Sequence, residues 1–199
     1  MKPLVIPYAT REGQTRHIAE YIEARIRDRG HSARLCDVRE IREPFDLDPY
    51  EGAILAASVH TGTHEPEMIA FVKRHRSRLD ELQTAFLSVS LTEASAEDTT
   101  LREGDRTKAA AEAQTVINRF LGETGWQPKR VEAVAGALLY SKYNFIVRFV
   151  MKRIARKASR PTDTSHDYEF TNWKAIDALV DEVLREHVAP ATQVFPSPA

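Results

Sequence analysis

The chain has 199 residues, of which 42% are hydrophobic and 29% are charged, a balance typical of one globular domain with a full core. A formal net charge of -1 predicts no special partner for the protein as a whole. The single cysteine, Cys36, excludes an intramolecular disulfide and fits a reducing compartment. No stretch approaches the ~20 apolar residues of a membrane-spanning helix, and the N-terminal apolar run is too short for a signal peptide. We therefore expect a cytoplasmic protein.

The first predicted element is a strand that leads into a phosphate-binding turn. An apolar run over 4–6 precedes the polar sequence ATREGQT, from Ala9 to Thr15, and apolar residues then recur at helical spacing over 18–26. A buried strand, a tight turn and a helix start can hold phosphate on backbone N–H groups. The side chains of Thr10, Gln14 and Thr15 would add donors. The alternative is an ordinary strand-to-helix turn capped by Thr, and the motif alone does not separate the two.

Four more strands alternate with helices along the chain. Strands two to five are predicted over 33–38, 52–58, 85–91 and 131–139. Helices are predicted after Pro66, after a polar stretch over 92–106, and from Trp173, with Thr171 or Asn172 as the cap of the last one. This alternation predicts an α/β fold with a parallel sheet covered by helices on both faces.

Three polar segments follow strands one, three and four, over 10–15, 58–64 and 88–91. Ligands of such sheets bind beyond the carboxyl ends of the strands, so these segments together predict a ligand site. His60 and His64 lie in the second segment and are candidates for proton transfer near neutral pH. Their HxxxH spacing lacks a third ligand, and we expect no metal there.

The segment after strand five is basic and amphipathic. It has no acidic residue from 133 to 162, and its cations are Lys142, Arg148, Lys152, Arg153, Arg156, Lys157 and Arg160. A helix packed on its own domain is one interpretation, and nucleic-acid binding is a weaker one because no recognised motif accompanies the charge. Phe145 and Phe149 beside unmixed positive charge favour a helix that lies in the surface of an anionic membrane. We therefore expect no nucleic-acid partner.

The sequence resembles a known family, the flavodoxin-like, menaquinone-dependent protoporphyrinogen IX dehydrogenases of bacterial haem synthesis. The resemblance runs from Lys2 to about His187, and its matching stretches are 9–15, 52–64, 85–91, 126–128, 134–140 with Tyr143, 148–149 and 168–173. It implies a flavodoxin-like, doubly wound, five-stranded parallel sheet of order 2-1-3-4-5. It also implies an FMN-binding domain over 1–189, with a basic amphipathic helical insert at about 140–171 and a flexible tail over 190–199.

The resemblance further implies FMN bound without a covalent link. Carried over by position, the cofactor-binding residues are Thr10, Arg11, Glu12, Gly13, Gln14, Thr15, Ser58, Val59, His60, Thr61, Gly62, His64, Ser88, Val89, Ser90, Leu91, Gly136, Ala137, Leu138, Tyr140 and Tyr143. Glu12 would bring negative charge close to the phosphate, and we expect its side chain to turn outward. The flavin-stacking aromatics of electron-carrier flavodoxins are not evident, since His60 and Leu91 occupy those segments.

The implied reaction is the oxidation of protoporphyrinogen IX to protoporphyrin IX, with the electrons passed through FMN to a quinone, menaquinone or a related one. The insert would bring the flavin to an anionic inner-membrane surface and to both substrates, through Lys142, Phe145, Arg148, Phe149, Lys152, Arg153, Arg156 and Lys157. A homodimer is left open. Two alternatives stand beside this reading, a soluble flavodoxin-type electron carrier and a quinone or FMN reductase that uses NAD(P)H.

Overall fold

The computed structural model describes residues 2–42, 44–138, 163 and 165–188. The strands are β1 Leu4–Ala9, β2 Ala33–Asp37, β3 Gly52–His60, β4 Thr63–His64, β5 Gln83–Ser90, β6 Arg130–Ala135, β7 Ala137–Leu138 and β8 Tyr168–Glu169. The helices are α1 Gln14–Asp28, α2 Pro66–Glu81, α3 Leu91–Glu97, α4 Glu103–Thr124 and α5 Trp173–Val188. Apolar runs form the long strands, and apolar residues at helical spacing form the helices that cover them.

Five parallel strands form the main sheet in the order β2-β1-β3-β5-β6. Apart from the short β4, this is the order 2-1-3-4-5 expected from the sequence, and the doubly wound fold is confirmed. The register pairs Ala9 with Ala57, Ser58 with Val89, and Ser90 with Ala135. The carboxyl ends of four strands therefore lie side by side, at one edge of the sheet.

The sheet is buried on both faces because alternate residues of each central strand point to opposite sides. On one face, Ile54 packs with apolar residues of α1 and α5. On the other, Leu55 packs with α2 and with Phe120 of α4. Phe86 stacks on Phe120 with ring centroids 4.4 Å apart. These two cores fix the helix ends around the carboxyl edge of the sheet.

Three local predictions differ from the structure. The polar stretch over 92–106 contains α3, which begins after Ser90, whose side-chain oxygen accepts a 3.0 Å hydrogen bond from the N–H of Glu93. The predicted loop over 58–64 is a hairpin, because β3 continues to His60 and pairs antiparallel with β4. Strand five ends at Ala135, and β7 turns away from the main sheet to pair with β8.

The last helix is capped by one of its two candidate residues. The side-chain oxygen of Asn172 accepts a 3.2 Å hydrogen bond from the N–H of Ala175, so Asn172 is the N-cap. Thr171 instead donates a 2.9 Å hydrogen bond to the carbonyl oxygen of Ala135. The chain that returns toward α5 is thus tied to the end of β6.

Within the described residues, no helix is both long enough and apolar enough to cross a membrane. The basic amphipathic segment predicted between strand five and the last helix lies outside the described residues, apart from 163 and 165–171. That part contains β8, which pairs with β7, and the buried Thr171, which hydrogen-bonds the carbonyl of Ala135.

Candidate functional site

A cavity of about 910 Å³ opens at the carboxyl edge of the sheet. Its walls are the segments that follow β1, β3, β5 and β6, together with one face of α4. Fourteen of the residues expected to bind cofactor line it: Thr10, Glu12, Gln14, Thr15, Ser58, Val59, His60, Thr61, Gly62, Val89, Ser90, Leu91, Gly136 and Ala137. Segments far apart in the chain therefore meet around one space.

The turn between β1 and α1 is organised by Thr10 and Gly13. The Thr10 side-chain oxygen accepts a 3.0 Å hydrogen bond from the N–H of Gly13, which has a φ of 98° that favours glycine. The helix begins at Gln14, and the first N–H groups of a helix have no acceptor within the helix. Thr15 is fully buried, and its hydroxyl has no hydrogen-bond partner in the described part of the chain. The turn therefore presents unpaired donors to the cavity.

The sequence predicted that the side-chain amide of Gln14 would donate to a ligand, but that amide is already engaged within the protein. Its amide nitrogen donates to Oε1 of Glu169 at 2.8 Å and to the hydroxyl oxygen of Thr171 at 2.9 Å. These acceptors lie more than 150 residues away in the chain. Gln14 therefore joins the turn to the segment that returns from the insert, and its backbone N–H is the donor left for a ligand.

Arg11 does not line the cavity. Its Nε atom donates to both carboxylate oxygens of Glu65, at 3.1 and 2.9 Å. Glu65 is 2% exposed and also accepts a 3.1 Å hydrogen bond from the hydroxyl of Ser58. Because a buried carboxylate requires such partners, these three residues hold the β1–α1 turn against the end of β3.

Glu12 lies inside the site, contrary to the expectation that its side chain turns outward. Its Oε1 atom lies 3.5 Å from Nδ1 of His60, and both residues line the cavity. Burial raises the pKa of the Glu12 carboxyl, while the nearby His60 opposes that rise. A carboxyl group and an imidazole thus lie next to each other on the wall of the cavity.

The His60 hairpin turns through two residues with left-handed backbone. Thr61 has a φ of 49° and Gly62 a φ of 81°, which matches the type I′ turn common in two-residue hairpins. Two hydrogen bonds brace the turn: Thr63 donates to the carbonyl of His60 at 3.2 Å, and Arg119 of α4 to that of Gly62 at 2.9 Å. His60 is therefore presented by a fixed turn.

His64 and Ser88 lie in the core and do not line the cavity. His64 is 2% exposed and packs against Phe86 and Phe120, and its Nε2 atom lies 2.9 Å from the hydroxyl oxygen of Ser88. Burial lowers the pKa of His64 from 6.5 to about 4. This is the environment of a structural histidine that stays neutral at physiological pH.

One wall of the cavity was not predicted from the sequence, and it is formed by α3, α4 and Leu101 between them. Its residues are Thr92, Ser95, Leu101, Asp105, Lys108, Ala109, Glu112, Thr115, Val116 and Arg119. Most of them recur every three or four positions, the spacing of one helix face. That periodicity was available in the sequence, but a polar helix face ordinarily contacts water.

The remaining predicted positions fall elsewhere. Arg11 and Gly13 belong to the β1–α1 turn without lining the cavity, and Leu138 is buried in β7. Tyr140, Tyr143 and the eight membrane or substrate residues from Lys142 to Lys157 lie outside the described residues.

Known proteins resemble this chain over most of its length. A family model described as Flavodoxin domain matches residues 5–165. The protoporphyrinogen IX dehydrogenase (quinone) of Escherichia coli strain K12 is 31% identical over 183 residues, which cover 92% of this chain and 94% of that protein. The enzyme of the same name from Leishmania major is 32% identical over 171 residues, covering 85% of this chain and 69% of that protein.

The solved structure of oxidised Flavodoxin 1 from Bacillus cereus matches with a TM-score of 0.52 at 16% identity, over 94% of this chain and 99% of the other. That likeness supports the fold alone. The family match extends over the strands and turns that surround the cavity. The chain therefore belongs to the flavodoxin-domain family and, within it, to the family of the quinone-dependent protoporphyrinogen IX dehydrogenases.

Proposed function

We propose that the protein binds FMN and oxidises protoporphyrinogen IX, with a membrane quinone as the electron acceptor. The observation that carries the proposal is the β1–α1 turn, where the fully buried Thr15 hydroxyl has no partner among the described residues. Buried polar groups are nearly always hydrogen-bonded. A phosphate at this turn would satisfy the hydroxyl and the first N–H groups of α1 together.

The residues present fit the phosphate of FMN. Thr10 and Gly13 shape the turn, and Thr15 and the N-terminal N–H groups of α1 would hold the phosphate oxygens. The one cation in the turn, Arg11, is engaged by Glu65. The phosphate would therefore be held by neutral donors and the helix dipole.

The rest of the cavity suits a flat ring system. Val59, Val89 and Leu91 contribute apolar surface, and Gly136 contributes backbone without a side chain. A volume of about 910 Å³ is at the upper end of the range for small-molecule sites, roughly 300–1,000 Å³. Bound there, FMN would supply hydride acceptance from the substrate and electron transfer to the quinone. The protein's part is to hold the ring, exclude water and place proton-transferring groups beside it.

The names of the two related enzymes support the substrate class, since both are protoporphyrinogen IX dehydrogenases that use a quinone. We extend this to menaquinone or a related quinone, and to a role in haem synthesis. A soluble electron carrier and an NAD(P)H-dependent reductase remain the competing functions. The competing carrier function is testable by titration of the bound flavin, since a carrier stabilises the one-electron state.

We further propose peripheral attachment to an anionic membrane on the cytoplasmic side. The support is in the sequence: seven Lys or Arg and no acidic residue over 133–162. Each basic residue near such a surface contributes about 1 kcal/mol. The double variant R148A/K152A should bind anionic vesicles more weakly than the parent, and unchanged vesicle binding and turnover would remove the proposed role of the segment.

The function is tested by anaerobic incubation of the FMN-loaded protein with protoporphyrinogen IX and a water-soluble menaquinone analogue. Porphyrin fluorescence should appear only when flavin and quinone are both present. No porphyrin under these conditions would contradict the dehydrogenase function. Quinone reduction by NADPH in place of protoporphyrinogen IX would instead identify the nicotinamide-dependent reductase.

A further inference from the structure

We propose that His60 and Glu12 form the proton-transfer pair of this cavity. In this pair, Nε2 of His60 accepts the proton that the tetrapyrrole loses, and Glu12 orients the imidazole through Nδ1. The inference rests on the proposed function. It assigns a catalytic role to His60 and a positioning role to Glu12.

The geometry of the pair supports these two roles. Oε1 of Glu12 lies 3.5 Å from Nδ1 of His60, and both residues line the cavity. A carboxylate beside Nδ1 favours the tautomer with its proton on that nitrogen, which leaves Nε2 with a lone pair to accept another. Such contacts are often long in ligand-free enzymes and shorten when the substrate binds.

Other ionisable residues on the cavity wall are less suited to this step. In the described part of the chain they are Asp105, Lys108, Glu112 and Arg119, all on α4. Ammonium and guanidinium groups have no lone pair with which to accept a proton. Asp105 and Glu112 are exposed to water. His64, the second histidine of the hairpin, is in the core beside Ser88.

The charge around Glu12 also supports a positioning role. Burial raises the pKa of Glu12, and the neighbouring His60, a backbone hydrogen bond and Arg11 oppose that rise, while Glu65 adds to it. Glu65 and Arg11 bind each other, so Arg11 is not available as a full counter-charge. An imidazolium formed at His60 would be stabilised by the neighbouring Glu12 carboxylate.

The step balances over one cycle. A C–H bond of the tetrapyrrole breaks, and its electron pair leaves with the hydrogen as hydride, which FMN would accept when it is bound in the cavity. A proton leaves the ring at the same stage, in the first cycle from a pyrrole N–H, and bonds to Nε2 of His60. The quinone would take up the hydride equivalent, which carries both electrons, together with this proton to form the quinol, and His60 would return to its neutral form. Three cycles remove three hydrides, which carry the six electrons, and three protons.

The first test needs no flavin. In protein labelled with ¹⁵N at histidine, the ring nitrogens of neutral His60 should show the Nδ1–H tautomer. The variant E12A, which removes the acceptor, should lose this preference, whereas H166Q, which removes an exposed histidine paired with Asp163, should leave the His60 signals in place. An Nε2–H tautomer in the parent, or no change in E12A, would overturn the proposal.

The second test is chemical rescue of the FMN-loaded protein under anaerobic conditions. The variant H60A should lower turnover by about 100-fold at saturating FMN, and added imidazole should restore part of it. The control H166A should keep full turnover. Turnover of H60A equal to the parent would reject the role of His60 while the dehydrogenase function stood. Loss of FMN binding by H60A would assign His60 to the cofactor and overturn the proposal, and an inactive parent would reject both.

Discussion

The side-chain amide of Gln14 donates a 2.9 Å hydrogen bond to the hydroxyl oxygen of Thr171, across 157 positions of sequence. The Thr171 hydroxyl in turn donates a hydrogen bond to the carbonyl oxygen of Ala135. The start of α1, the end of β6 and the chain leading into α5 are thereby joined in one buried network. The turn that we propose for phosphate is thus attached to the segment that returns from the basic insert.

Removal of this link should destabilise the protein. The variant Q14A loses two hydrogen bonds and leaves the Thr171 oxygen with one fewer donor, so we expect a loss of about 2 kcal/mol in the free energy of unfolding. Urea unfolding measures it. The matched control is Q114A, which removes an exposed hydrogen bond to Asn118 and should change stability by less than about 0.5 kcal/mol. Equal losses of unfolding free energy in the two variants would show that the buried network stabilises the protein no more than an exposed hydrogen bond does.

A substitution at Thr15 should weaken ligand binding without lowering the stability of the fold. The variant T15V keeps the shape of the side chain and removes a buried hydroxyl that has no partner in the described structure, so stability should be unchanged or slightly higher. The Kd for FMN should rise about 10- to 100-fold, because a hydrogen bond to a charged phosphate is lost. Quenching of flavin fluorescence on titration with the protein measures the Kd for FMN and for riboflavin. Riboflavin, which lacks the phosphate, is the control ligand and should bind parent and variant alike.

The hairpin turn carries strain that a substitution should relieve. Thr61 is a β-branched residue at a φ of 49°, whereas Asn is several-fold enriched there and Asn-Gly is the preferred type I′ pair. The variant T61N should therefore raise the unfolding free energy by roughly 0.5–1 kcal/mol. The control T63N, in β4, should give no gain because Asn is disfavoured in strands. Thermal unfolding of both variants checks this, and a less stable T61N would contradict the argument.

His64 should make stability depend on pH. Its pKa falls from 6.5 to about 4 on burial, so the unfolded chain binds a proton more readily than the native state. The stabilisation is complete above pH 6.5 and is lost as pH falls toward 4, a difference on the order of 3 kcal/mol.

The substitution H64F should remove this dependence and retain the aromatic contacts with Phe86 and Phe120. Unfolding free energies measured in urea between pH 7 and 4.5 should then change less with pH than those of the parent. The control variant H166F, which replaces an exposed histidine, should show the same pH dependence as the parent. The same pH slope in H64F and the parent would mean that other groups cause it.

The layout of the fold was predictable because its signals are local. Continuous apolar runs such as 52–58 are typical of central parallel strands, and apolar residues at helical spacing, as over 18–26, predict the helices. The short α3 gave no such signal, since its buried residues are Ala94 and Ser95. The turn at Gly136 also depends on distant partners, because its N–H donates to Ser90 and its carbonyl accepts from Phe170.

The candidate site was predictable as a set of loops but not as a set of side-chain directions. Strand order alone brings the segments after β1, β3 and β5 to one edge. Whether Gln14 faces a ligand or Glu169 depends on a contact 155 positions away, and whether His64 lies in a loop or a core depends on the β3–β4 pairing. Long-range contacts of this kind leave no pattern in the sequence.

The central claim is tested most directly by anaerobic stoichiometry. Known amounts of protoporphyrinogen IX should be incubated with the FMN-loaded protein and excess menaquinone analogue, with porphyrin and quinol measured together. We expect three molecules of quinol to form for each molecule of porphyrin, and no porphyrin to form when FMN is omitted. Porphyrin formed without matching quinol, or quinol formed without porphyrin, would contradict it.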